Sequence, residues 1–184
     1  MTKKVILSAL FVVLAFALVW AGDAKKGTMD PKMMEQFKAE AMKCAVCKNM
    51  VGSMEQLMPV TKMEVIKLDN GMAMTGTITD PKLVATYHGL CDKWSAGFAT
   101  AVQMTDDQAK TDLCEHCRSM RGVVKAGAQA SYGKTETGDL LVFSSSDPAV
   151  QAKISDFHAL CVTMMAEMDG SKEIKPATTE KKKY

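Results

Sequence analysis

Once its first stretch is set aside, this 184-residue chain has no excess of either charge. Lys and Arg number 23 against 21 Asp and Glu, and Lys3 and Lys4 precede an apolar N-terminal run. Without residues 1–21 the balance is 21 to 21. A chain so balanced has no field with which to hold a polyanion, so nucleic acid is not an expected partner. A Ser-His-Asp set, a glycine-rich phosphate loop and a clustered acid pair of the hydrolytic kind are also missing. The expected role is therefore binding rather than catalysis.

The one long apolar run, Val5 to Trp20, is short of the roughly 20 residues a membrane span needs. With Lys3 and Lys4 before it, and Val19 and Ala21 at −3 and −1, residues 1–21 read as a secretory signal peptide cut before Gly22. An uncleaved signal anchor is the other reading of the same run. No cysteine lies near the cut, so no lipid anchor is expected. The expected location is periplasmic or secreted, with no stable membrane insertion after cleavage. Residues 22–29 read as a flexible N-terminus. Ser171 to Tyr184, with five lysines, two glutamates and Pro176, reads as a disordered tail.

What the chain does have is a pattern stated twice. Cys44-x-x-Cys47 is followed, 41 residues after its second cysteine, by His88-x-x-Cys91. Cys114-x-x-Cys117 is followed at the same interval of 41 by His158-x-x-Cys161, and the two sets are 70 residues apart. All six cysteines and two of the three histidines are used. The surroundings repeat more weakly, with Tyr87-His88-Gly89-Leu90-Cys91 answering Phe157-His158-Ala159-Leu160-Cys161. This reads as an internal duplication, residues 30–104 and 105–170, with one soft-ligand constellation in each repeat.

Each repeat is expected to fold as helix, β-hairpin, helix. Met34, Phe37, Ala41, Cys44, Cys47, Val51 and Met54 fall at three- and four-residue steps, one stripe of a long helix begun by Asp30-Pro31. Asn70-Gly71 marks a hairpin between two strand-forming runs. Asp80-Pro81 starts a helix carrying His88 and Cys91 inward. The second repeat offers Thr105 as a cap, Thr137-Gly138 as a turn and Asp147-Pro148 as the last helix start. The fold class is thus a helix-dominated α+β chain of four long helices and two hairpins, related by a pseudo-two-fold axis.

Residues at i and i+3 share a helix face, so two such pairs on facing helices can converge on one ion. The expected sites are Cys44, Cys47, His88 and Cys91 in one repeat, and Cys114, Cys117, His158 and Cys161 in the other. Three thiolates and an imidazole suit tetrahedral Zn²⁺, and a site fully filled by protein suits structure, sequestration or delivery. The set resembles zinc-binding Cys3His sites in general, although its place in mid-helix departs from knuckles and turns. Cu(I) is the alternative, since it also takes thiolate and thioether and the chain holds sixteen methionines. Haem attachment would want histidine where Lys48 and Arg118 stand. The alternative function is a thiol–disulfide redox protein using the two Cys-x-x-Cys pairs. His116 has no counterpart in the first repeat and reads as exposed or accessory. The metal ion is the one partner the sequence specifies.

Overall fold

The computed structural model describes residues 31–168. The signal peptide, residues 22–29 and the Lys-rich tail lie outside the described residues. Helix α1 (Pro31–Lys43) leads through a 3-10 turn (Cys47–Asn49) to α2 (Val51–Leu57) and a second such turn (Met58–Val60). Strands β1 (Thr61–Leu68) and β2 (Gly71–Ile78) form the first hairpin, and a 3-10 turn (Pro81–Leu83) opens α3 (Val84–Gln103). Then come α4 (Asp106–Asp112), α5 (Glu115–Lys125), the hairpin of β3 (Gln129–Lys134) and β4 (Gly138–Ser144), and α6 (Pro148–Met168). The class is α+β and helix-rich, as the periodicity implied.

The two hairpins join into one antiparallel sheet in the order β1-β2-β4-β3. A lone hairpin is marginal in water, and side-by-side pairing of the inner strands supplies the missing partners. Met72 stands opposite Phe143 and Met74 opposite Leu141. The two ends of this seam match: Ile78 N–H donates to Thr137 O at 2.7 Å, and Ser145 N–H donates to Asn70 O at 3.0 Å. Each inner strand opens on a glycine that touches the other strand. A Cβ on Gly71 would overlap the carbonyl oxygen of Phe143, and one on Gly138 that of Gly76. The first turn lies one residue earlier than Asn70-Gly71, on Asp69-Asn70, because Gly71 is already paired with Leu68 and Ser144.

One sheet face is covered by helices. Met72, Met120, Val123, Phe143, Val150, Ile154, Phe157 and Cys161 make the main core there. Phe143 meets Phe157 edge-on, their centroids 5.9 Å apart, a favoured aromatic geometry. A second, smaller core gathers Cys44, Val46, Ala101, Ala109, Leu113 and Cys117. Apart from Leu113 its fully buried residues are small, and Trp94, Phe98 and Met104 pack against them.

The expectation of four long helices needs correction. Each Cys-x-x-Cys helix is broken at its motif, giving six α-helices among the described residues. Thr105 starts α4 with a reciprocal cap through Gln108, but Leu113 and Cys114 adopt extended backbone and a new helix, α5, begins at Glu115. In the first half α1 ends at Lys43 and the chain turns through Ala45 and Val46 into the 3-10 turn. The Ala45 N–H donates to Asp112 O at 2.8 Å, which binds one break to the other. Tertiary contact has overridden the helical stripe.

Arg121 secures the neighbouring corner. Its buried guanidinium donates from Nε to Ala101 O at 3.0 Å, and also to Met104 O, which satisfies carbonyls at the end of α3. Its Nη1 reaches Asp106 at 2.9 Å. Replacing Arg121 by Met removes the side-chain donor to Met104 O and leaves Ala101 O with only the Met104 N–H, at a cost of about 1–3 kcal/mol. Lys125→Met, which removes only an exposed partner of Asp106, should cost less than about 1 kcal/mol. Urea denaturation of the two variants measures both.

Candidate metal centre

The breaks are where the chemistry gathers. Cys44 follows α1, Cys47 opens the 3-10 turn, Cys114 caps α5 and Cys117 lies within its first turn. The Sγ atoms of these four lie within 4.8 Å of one another. Cys47 Sγ stands 3.4 Å from Cys117 Sγ and 3.8 Å from Cys114 Sγ, across the junction of the two halves. A tetrahedron of sulfurs about 2.3 Å from a central ion has edges of about 3.8 Å, so the spacing suits one ion. Cysteines of a multinuclear iron–sulfur cluster ligate different irons and stand further apart.

Local backbone explains the aim of the sulfurs. Cys44 O accepts the Lys48 N–H at 3.0 Å, and Cys114 O accepts the Arg118 N–H at 2.9 Å. Each motif therefore curls its two sulfurs to one side, the knuckle-like arrangement that the mid-helix expectation missed. Cys44 and Cys117 are 1% and 0% exposed, whereas Cys47 and Cys114 are half-buried at the rim. Trp94 and Phe98, stacked at 5.2 Å, pack against the cluster from α3.

The thiols also adjust one another. Hydrogen bonds, from Cys114 first and then Cys117 and Cys47, hold the Cys44 thiol far below its ordinary range. Cys114 is lowered to about 7, chiefly by Cys117. Cys117 and Cys47 are pushed up, in both cases chiefly by their hydrogen bonds to Cys114. Mutual hydrogen bonding among the four thus favours thiolate character at Cys44 and Cys114. A thiolate is the form that binds metal.

The structure does not bring together the sets expected within each half. His88 and Cys91 join neither Cys44 and Cys47 nor any other metal-like group among the described residues. Their helix, α3, faces the sheet: His88 Nε2 pairs with Gly138 O at 2.8 Å, and Cys91 Sγ donates to Asp139 at 3.5 Å. Asp139 also accepts from Tyr87 Oη at 2.8 Å and from the Gly76 N–H at 3.1 Å. Gly76 makes room for this contact, because a Cβ would overlap the Tyr87 hydroxyl. Cys161 is buried in the main core, its Sγ 4.0 Å from His116 Nδ1. His158 lines a cavity of about 290 Å³ with Lys67, Gln151 and Ser155. The physical reason for the difference is the seam. By joining β2 to β4 the sheet draws both His-x-x-Cys helices onto itself and leaves the two Cys-x-x-Cys breaks to meet each other.

His116, read from sequence as exposed or accessory, is half-buried against Phe157, with ring centroids 5.1 Å apart. Burial lowers its pKa. Tyr87 stood in the repeated segment but with no polar role assigned, and Asp139 carried no motif that would have singled it out. Among the described residues no helix is long and apolar enough to cross a membrane. Comparison with protein-family models, curated proteins and solved structures finds no match to this chain.

The polar set around Asp139 makes stability depend on alkaline pH. Burial first, and Asp139 next, push the Cys91 thiol up to about 11 from an ordinary value of 9.0. Burial pushes Cys161 up to about 12, and Tyr87 and Tyr132 are raised as well. The unfolded chain gives up these protons first, so the stabilisation is intact below about pH 9 and is lost as pH climbs through 11 and 12. The melting temperature should fall over that window, and Cys91→Ser should flatten part of the fall.

Proposed function

We propose that this is an exported zinc-binding protein with one tetrathiolate centre, formed by Cys44, Cys47, Cys114 and Cys117, that clasps the two halves of an internally duplicated chain. The observation that carries the reading is the mutual approach of four sulfurs within 4.8 Å. Tetrahedral S4 sites take zinc or iron, and zinc, with no redox chemistry of its own, suits a centre whose four positions are all protein. Cu(I) is less well served. Met120, which follows Cys117 by a turn, is spent in the main core rather than at the sulfurs, and methionine there is filler.

The role proposed is structural. Most fully buried side chains of the cysteine core are small, so the ion adds cohesion to the packing that Leu113, Trp94 and Phe98 provide. Duplication is supported by the repeated motif order and by the matched ends of the β2–β4 seam. Domain limits at 30–104 and 105–170, and a periplasmic or secreted location, belong to the same proposal. The thiol–disulfide reading draws on Cys114 opening α5 with Cys117 one turn inside. Thiol counting on protein as isolated separates the two.

Metal analysis of purified variants is the test. The parent chain should hold one zinc per chain. Cys44→Ser or Cys117→Ser should lose it, whereas Cys91→Ser and Cys161→Ser should keep it. Two ions per chain, or loss of metal with Cys91→Ser, would restore the mixed cysteine–histidine sites instead. A strong chelator should lower the melting temperature by roughly 10 °C, as removal of a ligand worth about 4 kcal/mol would.

A further inference from the structure

The four sulfurs are not equivalent, and the difference has chemical consequences. Cys44 and Cys117 are shut away at 1% and 0% exposure. Cys47 and Cys114 are the two that solvent reaches, and they face each other across the junction at 3.8 Å. Cys47 lies nearer still to Cys117, at 3.4 Å, but that sulfur is screened from any reagent in solution. Cys114 also caps the eleven-residue helix α5, so its sulfur sits at the positive end of a helix dipole. A thiolate in that position, partly exposed, is the kind that reacts.

We propose that Cys47 and Cys114 form an oxidant-sensitive pair, which a peroxide converts into a disulfide across the two halves with release of the bound ion. The proposal rests on the tetrathiolate reading above and adds to it a modification site. The Cys114 thiolate attacks one peroxide oxygen, forming an S–O bond as the O–O bond breaks, and hydroxide leaves to become water. The Cys47 thiolate then attacks the sulfenic sulfur, forming S–S as the S–O bond breaks, and a second hydroxide leaves. The two sulfurs together give up two electrons, and the peroxide accepts both. Cys44 and Cys117 remain reduced, and two ligands do not retain the ion.

The product differs from that of an ordinary Cys-x-x-Cys couple. A bond within either motif closes a loop of a few residues and leaves the halves unconnected. A Cys47–Cys114 bond joins residues 67 apart in sequence, and a covalent link across a long loop restricts the unfolded chain far more. Oxidation therefore exchanges an ionic clasp for a covalent one at the same place. The fold keeps its junction while the metal departs.

Hydrogen peroxide titration of the zinc-loaded chain, followed by chromophoric zinc detection and non-reducing peptide mapping, is the test. About one equivalent of peroxide should release one zinc. The map should show the Cys47 peptide joined to the Cys114 peptide, with Cys44 and Cys117 open to alkylation after denaturation. The oxidised, metal-free protein should melt above the reduced, metal-free protein, and reductant should erase the difference. Zinc retained under tenfold excess peroxide would overturn the proposal. So would disulfides confined to Cys44–Cys47 and Cys114–Cys117. If the reduced chain takes up no zinc at all, it is the metal reading that fails. Mapping the oxidised metal-free chain then decides the pair: a Cys47–Cys114 bond sustains it, and bonds within the motifs sink it. Cys91→Ser and Cys161→Ser should give the parent product, since neither thiol takes part.

Discussion

Two interruptions in two helices, held against each other, are the constraint on which the rest of this molecule depends. A backbone hydrogen bond, Ala45 N–H to Asp112 O, ties them, and four sulfurs converge beside it. Neither break would be stable alone. The extended residues Leu113 and Cys114 sacrifice helical hydrogen bonds, and the turn through Ala45 and Val46 does the same on the other side. In the proposed centre a bound ion would compensate for both losses in one place. Val46, fully buried, packs in the same cluster, with Trp94 and Phe98 against it.

The sheet supplies the complementary half of the arrangement. Pairing β2 with β4 fixes where α3 and α6 must lie, and their His-x-x-Cys segments are used up in contacts with strands and core. The two halves solve this differently. Tyr87 points a hydroxyl at Asp139 over Gly76, whereas its counterpart Phe157 packs edge-on against Phe143. Cys91 is a hydrogen-bond donor in the first half, and Cys161 is core filler in the second. Similar sequence has been turned to a polar contact on one side of the seam and an apolar one on the other.

Much of this was legible in the chain itself. Asp80-Pro81, Thr105 and Asp147-Pro148 announced element starts that the structure keeps, because caps and prolines act locally. Both hairpins were visible in strand-forming runs flanking glycine. The ligand types and their soft chemistry were visible too, in the repeated Cys-x-x-Cys. What spacing could not give was the choice of partner. An i, i+3 pair says that two side chains share a face, not which element that face will meet. With each motif followed at the same interval by His-x-x-Cys, the sequence pointed to pairing within each half. The decision was made by long-range strand pairing between β2 and β4, which leaves no local trace. The helix breaks were hidden for the same reason, since Cys44 and Cys47 continue the apolar stripe that their own break interrupts.

The central claim is one ion held by four sulfurs drawn from both halves. X-ray absorption at the metal edge of the zinc-loaded protein tests it most directly. The account requires a single shell of four sulfurs at about 2.3 Å with no imidazole scattering. A shell of three sulfurs and one nitrogen near 2.0–2.1 Å would contradict it, and would place the metal with His88 or His158 instead.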